Sequence, residues 1–302
     1  MEPQDIYKQV HAEMKKYIAG KDDTLELLFV ALVADGHALL EGVPGVAKTL
    51  MTKTLATTIN ADFKRIQGTP DLEPRDIRGY TYIDEKGEIQ LKKGPVFTNI
   101  LLVDELNRTP AKTMAALLET LEEKQVTLAG QDIALPKPFV TFATQNPLTI
   151  EGTEPLPKVL ADRFLMRIEV DYPSMAEEQE MIRIKESNVQ ASPSKIVDIA
   201  TIMDLQNKAR AITMPDDVVV YITQLVDATR KDIHVVMGAS PRADIAFVQC
   251  AKAKALIEGR SAVTKEDVKF LAKPVLSHRI AVRATGGLGV KGIVDGIIAS
   301  IK

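Results

Sequence analysis

The sequence predicts an α/β protein in which a parallel sheet carries a glycine-containing loop and a helical domain follows. Residues 42–49 read Gly-Val-Pro-Gly-Val-Ala-Lys-Thr, between an apolar strand and a helix. Short apolar segments alternate with helical ones before residue 173, which is typical of a parallel sheet covered on both faces. After residue 173 the pattern is helical, with no convincing strand. We therefore place a domain boundary there, giving domains 1–173 and 174–302.

The elements of the first domain follow from apolar spacing. Ile6, Val10, Met14 and Ile18 recur at helical spacing and predict an amphipathic first helix, and residues 24–35 predict a second. A further helix follows the loop, over residues 50–59. Five strands are predicted, at residues 38–40, 63–67, 100–103, 140–144 and 166–170.

Two segments interrupt the alternation of strands and helices. Residues 77–97 and 125–139 each contain two β-rich runs around a turn with glycine, at 85–88 and 129–132, so both are predicted as β-hairpins. In the second domain, Ser174 and Glu177 form a capping-box pattern that predicts a helix start. Other helix starts are predicted at Asp204, Pro215, Pro241, Thr264 and Val290.

The loop has the residue types that bind a nucleoside triphosphate. Glycines let backbone N–H groups turn toward an anion, and the helix N-terminus adds free donors. Lys48 is predicted to reach the β- and γ-phosphates and Thr49 to hold Mg²⁺. Ala47 stands where the usual pattern has glycine, which is harmless at helical dihedrals and costly at positive φ. The nucleotide-binding residues we predict are Gly42, Val43, Pro44, Gly45, Val46, Ala47, Lys48, Thr49, Leu50 and Asp104.

Polar side chains end two more strands. Asp104 and Glu105 follow a buried strand, where ligands sit in open α/β sheets. We predict that Asp104 holds Mg²⁺ through water and that Glu105 orients and deprotonates the attacking water. Asn146 ends the next strand and is a candidate for sharing that water, although Asn-Pro is also a common turn.

Two arginines are candidates for stabilising the γ-phosphate. Arg163 is either a buried ion-pair partner or an arginine finger that reaches the γ-phosphate bound by a neighbouring subunit. An arginine finger can raise the rate of hydrolysis roughly 10³–10⁵-fold. Arg242 begins a helix behind Pro241. It would face the nucleotide if the second domain folds over the loop, and would otherwise be a solvated helix-start residue.

Composition narrows the function classes. The N-terminal Met-Glu-Pro-Gln-Asp has no basic or apolar region, and no apolar run reaches a membrane span, so we expect no signal peptide and a cytoplasmic location. Cys250 is the sole cysteine, and the four histidines show no zinc spacing. A net charge of −3 argues against binding of nucleic acid that depends mainly on electrostatic attraction.

The chain resembles the AAA+ ATPases, and within them the MoxR family. The match runs in order over nearly the whole chain. It rests on residues 36–45, 64–72, 102–108, 116–123, 143–147, 151–157, 162–164 and 238–242. The family tolerates alanine before the loop lysine. Departures at Glu154 and at residues 158–161 lie near the expected subunit interface.

The resemblance implies a P-loop AAA+ αβα core with a parallel five-stranded sheet, followed by an all-helical lid domain. It implies a homo-hexameric ring with ATP and Mg²⁺ at each interface, where Arg242 acts in cis with the loop and strand-end residues and Arg163 acts in trans. It also implies that the hairpins point toward the pore or the face of the ring, and that the ring acts as a chaperone on protein clients, often with a von Willebrand factor A domain partner. His278-Arg279-Ile280 is a family feature to which we assign no mechanism.

The leading hypothesis is an ATP-hydrolysing remodelling motor acting on protein. A nucleic-acid motor is an alternative, because Tyr80 and Tyr82 could stack on bases, although hairpins are commonly rich in tyrosine. A nucleotide-gated scaffold with slow hydrolysis is a third.

Gln67 is a candidate for coupling Glu105 to client binding, or a plain strand-end residue. Asn107 and Arg108 are candidates for contacts with a neighbouring subunit.

Overall fold

A five-stranded parallel sheet forms the centre of the first half of the chain. The computed structural model describes residues 1–147, 156–187, 192–283 and 289–301, so most of the 151–157 motif, including Glu154, lies outside the described residues. Each of the five predicted strands is present, with bounds within one residue of the prediction. They are β1 (Ala38–Glu41), β2 (Phe63–Gln67), β5 (Ile100–Asp104), β8 (Val140–Gln145) and β9 (Met166–Glu169).

The order of strands across the sheet is β2-β5-β8-β1-β9, all parallel. Every residue of β5 is buried, because helices cover both faces, so its polar side chain emerges only at the carboxyl end. β1 lies between β8 and β9, and the loop that follows it opens at the same edge. This edge is where ligands bind in open α/β sheets.

Helices flank the sheet on both sides. The predicted N-terminal helix is confirmed, with Ile6, Val10 and Met14 on its buried face. The second helix begins two residues earlier than predicted, at Asp22, and ends at Val33. The helices of this half are α1 (Pro3–Lys15), α2 (Asp22–Val33), α3 (Lys48–Thr58), α4 (Pro74–Arg78), α5 (Ala111–Glu123) and α6 (Lys158–Ala161), with a 3₁₀ turn at Leu106–Arg108.

Both predicted hairpins are present. The first pairs β3 (Gly79–Ile83) with β4 (Ile89–Lys93), and the second pairs β6 (Gln125–Leu128) with β7 (Gln131–Ala134). Ala129 and Gly130 both have positive φ, 50° and 77°, as a two-residue turn matched to strand twist requires. Ile83 and Ile89, at the end of the first hairpin, are 72% and 73% exposed.

The region after residue 173 is helical, as predicted, and also contains two short strands that we did not predict. β10 (Val235–Met237) and β11 (Ala281–Val282) pair antiparallel, and they are too short for alternation to reveal them. The helices are α7 (Met175–Glu186), α8 (Ile199–Ala211), α9 (Asp216–Lys231), α10 (Pro241–Ile257), α11 (Lys265–Leu276) and α12 (Val290–Ser300).

Most of the helix starts in this region were predicted to within one residue. Ser174 and Thr264 form capping boxes with Glu177 and Asp267. The start predicted at Asp204 is wrong: α8 begins at Ile199, and the carboxylate of Asp198 caps it by accepting the Thr201 N–H at 2.8 Å. Among the described residues, no helix has the length and apolar character needed to cross a bilayer.

The second region packs onto the first through a shared hydrophobic core. Val10 of α1 and Phe29 of α2 belong to the same buried cluster as Leu205 of α8 and Phe247 of α10. A partly buried ion pair crosses the same contact, with Lys254 Nζ 2.5 Å from the Glu26 carboxylate. The domain boundary at residue 173 therefore remains a prediction, because the two regions do not have separate cores.

Candidate nucleotide-binding site

The phosphate-binding loop joins β1 to α3 at the carboxyl edge of the sheet. Gly45 has φ +88°, which only glycine adopts without strain, and no atom lies within 4 Å of the position a Cβ would take. α3 begins at Lys48, so the loop leads directly into the free N–H groups of a helix N-terminus. This arrangement is a ready-made anion site.

Ala47 adopts the left-handed conformation, with φ 63° and ψ 20°. Because this φ is positive, the methyl group of Ala47 is in the conformation that we expected to be costly. Steric repulsion between an alanine Cβ and the following carbonyl costs about 1 kcal/mol in this region.

Lys48 bends back over its own loop. Its Nζ donates to the carbonyl oxygens of Gly42 and Val43, the latter at 3.2 Å. Partial burial lowers the pKa of Lys48, while Asp104, Glu105 and Glu41 oppose that shift. The ammonium is thus held at the mouth of the loop in a partly desolvated setting. There a charged phosphate oxygen is a stronger acceptor for Lys48 than the two neutral carbonyls.

The two predicted Mg²⁺ ligands lie together. Thr49 Oγ1 donates to Asp104 Oδ2 at 3.1 Å, and Thr144 Oγ1 donates to Asp104 Oδ1 at 2.5 Å. Arg65 also donates to Oδ2, from Nε at 3.1 Å and Nη2 at 2.7 Å. A hydroxyl beside a carboxylate is a hard oxygen donor set that suits Mg²⁺. Sequence reasoning missed Thr144 and Arg65, which reach Asp104 only through the registers of β8 and β2 with β5.

Glu105 leaves the strand in a left-handed conformation, with φ 55°. Its N–H donates to Thr144 Oγ1 at 2.9 Å, so one threonine orients both acidic residues. The Glu105 carboxylate accepts from Arg108 Nη1 at 2.8 Å. Gln67 does not contact Glu105; its Oε1 accepts from Arg65 Nη2 at 2.6 Å.

A cavity of about 370 Å³ lies between the loop and the strand ends. It brings together Lys48, Thr49, Asp104, Glu105 and Asn146 from three separate parts of the chain. Its lining is Pro44, Gly45, Val46, Ala47, Lys48, Thr49, Leu50, Asp104, Glu105, Thr144, Gln145 and Asn146. Of the predicted binding residues, Gly42 and Val43 are outside this lining and supply the carbonyls that hold Lys48.

Arg163 and Arg242 do not line this cavity. Arg163 Nη2 lies 2.8 Å from one oxygen of the Glu122 carboxylate, and Arg242 Nη2 lies 3.0 Å from the other. Glu122 belongs to α5, so both arginines end on one carboxylate at the side of the sheet. The structure brings the two arginines together, and it does not bring Arg242 to the loop of its own chain.

The chain matches a family model described as ATPases associated with various cellular activities (AAA) over residues 37–166, and one described as the AAA lid domain over residues 227–288. The chaperone MoxR1 of Mycobacterium tuberculosis is 42% identical to it, over 89% of this chain and 74% of its own length. The chain belongs to the MoxR family of AAA+ ATPases.

Other relatives of this MoxR-family chain cover it almost completely. The uncharacterized protein YeaC of Bacillus subtilis is 40% identical over 96% of this chain and 92% of its own length. A crystal structure of a Cytophaga hutchinsonii protein, described as a candidate ATPase, is 38% identical with a TM-score of 0.91, over 99% of this chain and 95% of that one. The fold is therefore an AAA+ core with its lid, as the resemblance implied, and nucleotide binding follows from the family.

Proposed function

We propose that this protein is an Mg²⁺-dependent ATPase that assembles as a homo-hexameric ring and remodels or matures other protein complexes. The observation that carries the enzymatic part is the cavity in which Lys48, Thr49, Asp104, Glu105 and Asn146 converge. The chaperone role is supported by the name of the M. tuberculosis relative. A cytoplasmic location and a von Willebrand factor A domain partner are further parts of the proposal, based on sequence.

In the proposed reaction each residue has a separate task. The loop N–H groups and Lys48 bind the β- and γ-phosphates of ATP, while Thr49 and Asp104 hold Mg²⁺, which neutralises phosphate charge. Glu105 accepts the proton of the attacking water, and Asn146 helps to orient that water. One oxygen of the Glu105 carboxylate, Oε2, is paired with Arg108 at 2.8 Å, so the proton is proposed to go to the other oxygen. Catalysis is then positioning and charge neutralisation, without a covalent intermediate.

Arg163 is proposed to act on the γ-phosphate bound by a neighbouring subunit, because it lies outside the cavity of its own chain. The cis role that the resemblance implies for Arg242 requires Arg242 to leave Glu122 and reach the loop. Its place beside Arg163 favours a shared role for the two arginines. Mixing of variant subunits, described in the Discussion, separates these two possibilities.

The proposed activity is tested with Glu105→Gln. We expect this variant to bind ATP with the affinity of the unmodified chain and to lose turnover, because a neutral amide accepts no proton from water. Asp132→Asn, at an exposed acid in the second hairpin, is the matched control and should keep its rate. Normal turnover by Glu105→Gln would remove Glu105 from the mechanism.

Assembly and client class are tested separately. Particle mass should rise six-fold when Mg-ATP is added. A chain that binds ATP yet stays monomeric would favour assembly that depends on a partner, or the gated scaffold. Tyr80 and Tyr82 are 41% and 48% exposed on the first hairpin, so the nucleic-acid alternative has a surface to act through. DNA-stimulated ATPase with a steep salt dependence would favour that alternative over a protein client.

A further inference from the structure

Arg279, just after α11 in the lid, is buried, with its side chain 3% exposed. A buried guanidinium is costly unless each of its donors is satisfied. Arginine has five N–H donors, and here they make five hydrogen bonds. The acceptors are Asp162 Oδ1 at 3.0 Å, Asp162 O at 3.4 Å, Phe164 O at 2.8 Å, Leu165 O at 3.1 Å and Val275 O at 2.5 Å.

Four of these five bonds go to residues 162–165, the segment that carries Arg163 from α6 into β9. His278 adds another, because its Nε2 lies 3.0 Å from Phe164 O and must carry the proton to donate to a carbonyl. Burial, with the charge of Arg279 beside it, lowers the pKa of His278 well below its usual value, so this histidine is neutral. The lid therefore satisfies most of the carbonyls around Arg163.

The second oxygen of Asp162 extends this contact to Arg242. Ser240 Oγ donates to Asp162 Oδ2 at 3.0 Å, and Ser240 is the N-cap of the helix that carries Arg242. Arg242 Nε itself lies 3.9 Å from the same oxygen. Asp162 thus joins Arg279, the Arg163 segment and the start of α10 in one network.

We propose that Arg279 is a positioning residue for Arg163. It fixes the backbone on both sides of Arg163, so that the guanidinium of Arg163 is presented to the neighbouring subunit at a set height and angle. A displacement of about 1 Å in such a group can cost roughly 10²-fold in rate. This inference rests on the proposed trans role of Arg163, and it gives a task to the His278-Arg279-Ile280 motif.

Arg279→Lys is the main test, because it keeps the charge and one contact to Asp162 but loses the fork that holds four carbonyls, three of them in residues 162–165. We expect kcat to fall about ten- to hundred-fold, with the Kd for ATP unchanged, since Arg279 does not line the cavity. Arg260→Lys is the matched control. It disrupts another lid ion pair, to the buried Asp267 at 2.5 Å, which does not involve residues 162–165. It should lower the melting temperature comparably and keep kcat.

Mixed rings distinguish positioning from a general loss of folding. In a mixed ring, the Arg279→Lys subunits supply an intact Glu105, and the Glu105→Gln subunits supply an intact Arg163 segment. An interface is complete where the intact Glu105 of one subunit meets the intact Arg163 segment of its neighbour. Turnover should therefore return to roughly a quarter of the normal rate at equal mixing. An unchanged kcat for Arg279→Lys, or a lost kcat that mixing does not restore, would overturn the proposal.

Two further samples keep the result interpretable. Arg163→Ala mixed with Glu105→Gln should regain turnover to the same extent, and its failure to do so would refute the trans role of Arg163 itself.

If Arg279→Lys does not fold, Asp162→Asn takes its place, because it keeps the side-chain shape and removes the charge that Arg279 and Ser240 bind. The same loss of kcat and the same recovery on mixing are expected, and their absence counts against the proposal.

Discussion

Arg65 occupies the carboxylate that we assign to Mg²⁺: its Nε and Nη2 both donate to Oδ2 of Asp104, at 3.1 and 2.7 Å. Thr49 Oγ1 contacts the same oxygen, at 3.1 Å. A guanidinium and a divalent cation that share one carboxylate compete, because their charges repel. A residue of β2 therefore balances the charge of the carboxylate proposed to hold the metal.

Replacement of Arg65 by glutamine should lower the Mg²⁺ concentration required for half-maximal ATPase. A partly exposed pair of this kind contributes about 1 kcal/mol, so the expected shift is roughly five-fold. Arg75→Gln is the control, because Arg75 is an exposed arginine that pairs with Glu73 away from the site. A higher Mg²⁺ requirement in Arg65→Gln would instead mean that Arg65 orients Asp104 for the metal.

Ala47→Gly should leave the protein at least as stable as the parent, and Ala47→Val should destabilise it by more than 1 kcal/mol or so. The reason is the left-handed backbone at residue 47, which glycine adopts freely and a β-branched residue resists. Ala115→Gly, on the exposed face of α5, is a control in which the same substitution should destabilise the protein. Glycine in a helix interior should lower the free energy of unfolding by about 1 kcal/mol. Urea denaturation of the four chains measures this order, and a Val variant as stable as the parent would contradict the backbone assignment.

Arg242→Ala should behave like Arg163→Ala in mixed rings, since both arginines end on Glu122. Each variant alone should lose turnover and keep ATP binding. Mixed with Glu105→Gln, each should recover roughly a quarter of the normal rate if it acts across the interface. If Arg242 acts in cis, its variant has defective sites in every subunit and mixing recovers nothing, while Arg163→Ala still recovers.

Acid should destabilise the protein through His37. This buried histidine accepts the Thr141 N–H at Nδ1, 2.9 Å away, and contacts the Leu121 carbonyl through Nε2 at 2.9 Å, so it is held neutral. Burial lowers its pKa from 6.5 to about 4. Because the folded pKa is the lower one, the unfolded chain binds the extra proton, and stability is lost as the pH falls from about 6.5 toward 4.

The expected contribution is about 2 kcal/mol between pH 7 and pH 5. It is measured as the change in unfolding free energy by urea titration at the two pH values. His37→Gln keeps a hydrogen-bonding side chain and cannot titrate in this range, so its stability should fall by about 2 kcal/mol less than that of the parent over the same interval. Equal losses in the two chains would show that His37 does not cause the acid sensitivity.

Local signals in the sequence were sufficient for the strands and the loop. The five strands follow from short apolar runs that end in polar residues, and the hairpin at 125–139 follows from its Ala129-Gly130 turn. Capping patterns located α7 and α11, and Pro215 and Pro241 located α9 and α10. The start of α8 was misplaced because Asp204 resembles a cap while Asp198 is the cap. β10 and β11 were missed because strands of three and two residues carry no period.

The sequence by itself determined that the loop and strand-end residues of the proposed nucleotide site converge. They stand in one loop and at the ends of adjacent strands, and parallel pairing brings strand ends to one edge. Only the tertiary structure decided where the remaining charges go. These contacts join residues that are distant in the chain. They are Arg65 with Asp104, Arg279 with Asp162, and both Arg163 and Arg242 with Glu122. No local pattern encodes such contacts, since they depend on strand register and on how the lid packs against α2 and β9.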